Sequence, residues 1–242
     1  QLTGDQYRED YYAWEWGDAL FVVIDPFQYT MNLPYSPSAG EGSEAVTGDQ
    51  WSWTLGATQY NWFKQTLENS DAKYKFVFSH QMLGGIPNLT ISGVGPGYVR
   101  GGAGAAPYFE WGGKNADDSE GFAAHRPGWE APIHQLMVAN GVSAYFHGHD
   151  HQYVYEKLDG VVYQEVPSPS MSGSGFGGIY STSNPYTLAM YPSAGHLRIT
   201  IAPDQATVDY VRSDTTAVSH SYTIEPAGDA TTSPTVTVEQ AA

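Results

Sequence analysis

Two histidines separated by one residue, His149 and His151, sit in the run Tyr145-Phe146-His147-Gly148-His149-Asp150-His151. On extended backbone, side chains two positions apart project to the same side, so this pair can offer two imidazole nitrogens to one point. Imidazole is the commonest neutral nitrogen ligand for transition metals, and such a pair needs no helical scaffold. Gly148 lets the backbone turn tightly and approach an ion as it leaves a strand. His80 stands in the same kind of place, directly after the apolar run Tyr74-Lys75-Phe76-Val77-Phe78-Ser79. His147 closes its own strand, where it serves either the substrate or, as a hydrogen-bond partner, the ligands. Arg100, ahead of Gly101-Gly102, has a guanidinium fork suited to a phosphate. The candidate metal ligands are therefore His80, His149 and His151, and the candidate substrate-binding residues are Arg100 and His147. For His80 alone, a solvated loop histidine is the plain alternative.

Positioning these groups requires strands whose carboxyl ends meet, since that is where ligands gather in α/β sheets. Residues 11–16 and 19–24 read as a hairpin turning at Gly17-Asp18, and Leu20 to Ile24 is apolar throughout, as in a strand covered on both faces. Tyr60, Phe63 and Leu67 mark one face of a helix over residues 57–69. A strand over 74–78 follows, then a long irregular stretch over 81–130. Pro132 opens a helix that Gly141 ends, and 142–146 is the next strand. Beyond it the pattern is β: strands at 153–156 and 161–166 flank Asp159-Gly160, a hairpin spans 196–212, and a last strand covers 219–224.

Composition excludes several classes. The 242 residues contain 41% hydrophobic side chains and 14% aromatics, ample for a packed core. Against 26 acids stand only 10 lysines and arginines, a formal charge of -16, with no basic cluster for nucleic acid or an anionic membrane. There is no cysteine, which removes disulfides, thiolate metal sites and a cysteine nucleophile together. No apolar run reaches the roughly 20 residues that span a bilayer. Few lysines, many Tyr, Thr, Ser and Gly and no cysteine fit a secreted or periplasmic bacterial protein. Gln1 as the first residue points to an upstream part removed by processing or truncation.

The ordered elements resemble the calcineurin-like metallophosphoesterases, the superfamily that includes purple acid phosphatases and related phosphodiesterases. They are Phe21-Val22-Val23-Ile24-Asp25, then Leu55-Gly56 through Gln59, Trp62-Phe63 and Leu67, then Lys75-Phe76-Val77-Phe78-Ser79-His80, Gly128-Trp129, Pro132-Ile133-His134 and Gly148-His149-Asp150-His151. The resemblance implies an α/β (α+β) fold, a layered α-β-β-α sandwich. Residues 1–224 would form the C-terminal half of the single domain, with 225–242 a tail that covers an edge or is loosely ordered. It also implies a dinuclear centre of divalent or trivalent ions (zinc, iron, manganese or calcium) between two sheets, with His80 and His149 on one metal and His151 on the other. In that family a metal-bound water or hydroxide attacks a phosphate mono- or diester in line with the leaving oxygen.

The family's first half contributes an Asp-x-His pair, a Gly-Asp motif whose Asp bridges the metals, and an Asn-His pair. No Asp here has a His two positions on, and there is no Asn-His dipeptide. Gly-Asp occurs at Asp5, Asp18, Asp49 and Asp229, none in the expected context. The expectation is a phosphoesterase whose N-terminal half, with the usual catalytic histidine, comes from another chain or an upstream segment. The alternative is a non-catalytic binding or assembly module with vestigial ligands. A mononuclear zinc hydrolase is a third reading, in which Asp150 or Asp25 would act as the base.

Overall fold

Strand β2 (Ala19–Val23) is apolar at every position because both of its faces are covered. Leu20, Val22 and the following Ile24 enter one core, and Ala19 and Phe21 pack with the other. The computed structural model describes residues 10–31, 49–80, 102–148, 151–170 and 185–228. Around β2 lie β1 (Tyr12–Trp16), β3 (Tyr74–Phe78), β4 (Ala144–His147), β5 (Tyr153–Leu158), β6 (Val161–Glu165) and β7 (Thr187–Tyr191), in the sheet order β1-β2-β3-β4-β6-β5-β7. Neighbours β2, β3, β4 and β6 run parallel, while β1, β5 and β7 join antiparallel. A separate three-stranded antiparallel sheet has the order β10-β9-β8, from β8 (Gly195–Ile201), β9 (Ala206–Arg212) and β10 (Val218–Ile224).

Helices cover one face of the large sheet. From α1 (Gly56–Glu68) come Tyr60, Phe63 and Leu67, the stripe anticipated from their spacing. Trp111 of α2 (Phe109–Gly112) and Ile133, Leu136 and Met137 of α4 (Ile133–Ala139) complete that layer. The short α3 (Phe122–His125) buries none of its side chains. On the opposite face, Phe76, Ala144, Phe146 and Val162 pack against Val208, Tyr222 and Ile224 of the small sheet. Among the described residues this is a helix-sheet-sheet stack in a mixed α+β fold, three of the four layers expected.

Most anticipated elements are present within a residue or two, and Asp159-Gly160 turns with both φ values positive. Two differences stand out. Strand β7 had no counterpart in the sequence reading, and residues 102–130 are not irregular throughout but carry α2 and α3. That insert is fastened by Glu110, which is fully buried. One of its oxygens accepts the Leu55 amide at 2.7 Å, closing the start of α1, and the other pairs with Arg126. Arg126 also donates to the Trp51 carbonyl and lies over the Trp51 and Trp129 rings at 5.4 and 5.5 Å. Gly56 is required at the first position of α1, because φ is +71° and a Cβ there would meet the Tyr29 ring at 2.7 Å.

Removing one member of a buried, hydrogen-bonded ion pair leaves the other charge uncompensated. Glu110→Ala should therefore destabilise the fold by about 3–5 kcal/mol in urea unfolding. Lys64→Ala, which removes a surface pair with Glu68, should cost less than about 1 kcal/mol.

Candidate metal centre

Parallel pairing brings the carboxyl ends of β2, β3, β4 and β6 to one edge of the sheet, and backbone bonds continue the pairing past the strands. The Ile24 amide bonds the Phe78 carbonyl at 2.9 Å, the Ser79 amide bonds Phe146 at 3.2 Å, and the Gly148 amide bonds the His80 carbonyl at 2.9 Å. The Val166 amide reaches the His147 carbonyl at 2.7 Å. Gln59 clamps α1 to the end of β2: its side chain accepts from the Asp25 amide and donates to the Asp25 carbonyl, both at 2.8 Å. Asp25, His80, His147, Gly148 and Glu165 thus share one edge. Because β5 runs antiparallel to β6, with Val154 opposite Glu165, His151 at the head of β5 joins them.

His80 is open to solvent on one side, while surrounding protein and the nearby His151 depress its pKa, burial being the larger cause. Both effects favour the neutral imidazole, the form that ligates a metal. His151 is half-buried and takes a left-handed backbone conformation, φ +56°, which is uncommon outside glycine. Its carbonyl accepts from the hydroxyl of Ser193, a buried residue whose oxygen also accepts the Ser168 amide at 3.1 Å. Strain of this kind persists only where neighbours hold it, and here Ser193 is the holder.

Beneath this rim lies a buried polar layer. His147 and Glu165 are register partners across β4 and β6, 1% and 0% exposed, with the imidazole Nδ1 at 2.6 Å from the carboxylate Oε2. The His147 ring is stacked on Tyr145, 17° from parallel, and the Tyr145 hydroxyl lies 2.6 Å from Ser79 Oγ, ahead of His80. Glu156 of β5 is buried as well, accepting the Ala103 amide at 2.7 Å and the Thr187 hydroxyl at 2.8 Å. Burial raises its pKa, and its hydrogen bonds and His147 oppose that rise.

Of the residues singled out from sequence, His80, His147 and His151 are brought to this edge. His149, Asp150 and Arg100 lie outside the described residues. Among the described residues no three His, Asp or Glu converge as a complete metal-ligand set. The donor chemistry nonetheless fits a transition metal: imidazoles from two strand ends, His151 near enough to His80 to disfavour its protonation, joined through Gly148 to the residue that would complete the group. Sequence reasoning missed Glu165, Glu156 and Ser193. The register of Glu165 opposite His147 would have revealed the first, but pairing between distant strands is not written in local spacing.

His134 and Asp25, by contrast, are explained within the fold. His134 Nδ1 lies 2.8 Å from the Tyr163 hydroxyl, which also accepts Trp111 Nε1 at 2.9 Å, and its Nε2 lies 3.0 Å from Asp159 at the β5-β6 turn. Asp25 accepts the Phe27 amide at 2.7 Å.

The chain is similar to several solved structures. GAP50, described as the anchor in the inner membrane complex of Plasmodium, matches at 16% identity with a TM-score of 0.53, over 91% of this chain and 56% of its own. Purple acid phosphatase PPD1 from yellow lupin (Lupinus luteus) seeds matches at 15% identity and TM-score 0.47, over 89% of this chain and 32% of that one. PhoD matches at 15% identity and TM-score 0.48, over 89% and 40% respectively. The chain spans between about a third and just over half of the length of these structures. No curated protein matches it. A family model described as PhoD-like phosphatase matches residues 2–218. The chain belongs to the PhoD-like phosphatase family, within the metallophosphoesterase superfamily that its motifs resemble.

Proposed function

We propose that this chain is the C-terminal half of a metal-dependent phosphoesterase, contributing His80, His149 and His151 to a dinuclear centre that hydrolyses phosphate mono- or diesters. The observation that carries this reading is the shared sheet edge, with His80 and His151 near each other and the His80 carbonyl bonded to Gly148, in a PhoD-like phosphatase. When bound, the metals would supply positive charge for the phosphoryl oxygens and acidity for a water. A chain with formal charge -16 otherwise has little to offer an anion, so cations at this edge would reverse the local field. The chain's own residues present imidazoles, that of His80 kept from protonation chiefly by burial, hold the backbone of His151 through Ser193, and bring the strand ends to one edge through pairing.

The bridging carboxylate and the remaining ligands would come from an upstream segment or separate chain. A face of the large sheet supports such a partner. Tyr12, Trp14 and Trp16 of β1 are 55%, 44% and 79% exposed and occupy alternate positions, hence one face. Trp14 stacks on Phe21 at 5.0 Å, Phe21 stacks with Phe78 at 6.4 Å, and Phe78 with Phe146 at 5.1 Å. This row crosses four strands on the face that the small sheet covers at its far end, where Phe146 is buried, and leaves bare at β1. A second sheet continued past β8 would cover it.

A non-catalytic assembly module is the second reading, favoured by one specific likeness, the anchor protein GAP50. Metal content separates the two. Two tightly held metals per assembly, and hydrolysis of p-nitrophenyl phosphate or its bis-ester that EDTA abolishes, are expected of the product of the whole reading frame. His149→Ala and His151→Ala should each lower kcat/KM at least about 100-fold, roughly 2.7 kcal/mol of transition-state stabilisation. An assembly without metal would decide for the module, and residues 1–242 monomeric and fully active alone would remove the need for an upstream half.

The bare aromatic row gives an independent check. The dye bis-ANS should bind residues 1–242, and the double variant Trp14→Ser, Trp16→Ser should abolish most of that binding. Equal dye binding by the product of the whole reading frame would count against a partner sheet at this face.

A further inference from the structure

The two side chains of the buried polar layer that face each other across β4 and β6 belong to a histidine one residue before Gly148 and to a glutamate that no motif assigns. We propose that Glu165 is a positioning residue for the metal edge, acting through His147. This rests on the metal reading of the site given above.

The argument begins with where the carboxylate is. Glu165 is the last residue of β6, pairs in register with His147, and is 0% exposed. A carboxylate so buried is costly to retain unless something nearby compensates it, and His147 Nδ1 at 2.6 Å is the compensating group. An apolar residue would fill the same space without that cost, as Val161 does on the same face of β6. The backbone of Glu165 is also held, its carbonyl accepting Gln164 Nε2 at 2.8 Å while the same nitrogen donates to Val154 at 3.0 Å. The carboxylate is therefore delivered from a fixed platform.

What it holds is equally constrained. The His147 ring has Tyr145 on one side, and its carbonyl accepts the Val166 amide at 2.7 Å. The next residue, Gly148, is tied to the His80 carbonyl on the opposite neighbouring strand. Main chain and side chain of β6 thus fix the end of β4 from one side, and β3 fixes it from the other. The chain leaves this point toward His149 through a glycine, whose backbone freedom makes the preceding anchor matter. Groups that orient metal ligands commonly change affinity by about 10–100-fold when removed.

The test uses residues 1–242 with zinc as the probe, titrated in competition with a chromophoric chelator. Glu165→Leu should weaken zinc binding about tenfold or more, and Glu165→Gln, which keeps an oxygen beside the imidazole, should weaken it less. In metal-free protein, the side-chain nitrogen signals of His147 in long-range proton-nitrogen NMR should shift in both variants. A purely structural role predicts otherwise, and His134→Asn provides the comparison. It breaks the cluster of buried His134 and Tyr163 with exposed Asp159 on the same sheet face, and should lower Tm while leaving zinc affinity within twofold. Folded Glu165→Leu with zinc affinity within twofold of the parent would overturn the proposal. If Glu165→Leu does not fold, the same criterion applies to Glu165→Gln. Should the parent itself take up no zinc, residues 1–242 alone do not hold the metal, and the His147 signals then decide the contact: unmoved by Glu165→Gln they overturn the proposal, moved they support it.

Discussion

The parallel pairing of β2, β3, β4 and β6 governs both the packing and the chemistry of this chain. Because four neighbouring strands point the same way, their carboxyl ends finish at one edge, and every candidate group among the described residues is found there. Pairing does not stop with the strands. The amide of Ser79 reaches Phe146 and that of Gly148 reaches His80, so the turns carrying the histidines start from registered positions. Parallel strands need covered faces, and the helices on one side and the small sheet on the other provide them. The core and the site are thus consequences of the same ladder.

A second constraint is the management of buried charge in a protein so acidic overall. Glu110, Glu156 and Glu165 are all buried, yet each is answered differently. Glu110 meets a guanidinium and a helix-opening amide, and it fastens an insert to the core. Glu156 meets an amide and a hydroxyl, and its depth favours the neutral acid. Glu165 meets an imidazole. Polar contacts of this depth cannot slide, since any displacement leaves a desolvated group without compensation. They give the edge a geometry that apolar packing alone would leave softer.

Much of this was legible in the sequence, for identifiable reasons. Strand β2 announces itself as an unbroken apolar run, and β3 and β4 as runs broken only by Lys75 and His147, because a strand buried on both faces has no polar period to confuse with a helix. Helix α1 is read from Tyr60, Phe63 and Leu67, and Asp159-Gly160 marks its hairpin by turn chemistry. Strand β7 was missed because Thr187–Tyr191 is an edge strand with little burial contrast between its faces. Glu165 was missed for a different reason. In Val161-Val162-Tyr163-Gln164-Glu165 the closing polar pair looks like a strand running out into solvent, whereas both residues are fully buried. The histidine cluster was found because its spacing is local, and the residues supporting it were not, because theirs is not.

The aromatic row from Trp14 to Phe146 has one more consequence, for the life of the chain in a cell. A sheet face that ends in three exposed aromatics is the kind of surface that chaperones and proteases recognise on unfinished proteins. If the proposed neighbouring layer covers it, docking would act as a checkpoint: a molecule with the layer would escape surveillance, and one without it would be held or destroyed. Quality control and catalytic competence would then be decided by the same docking event.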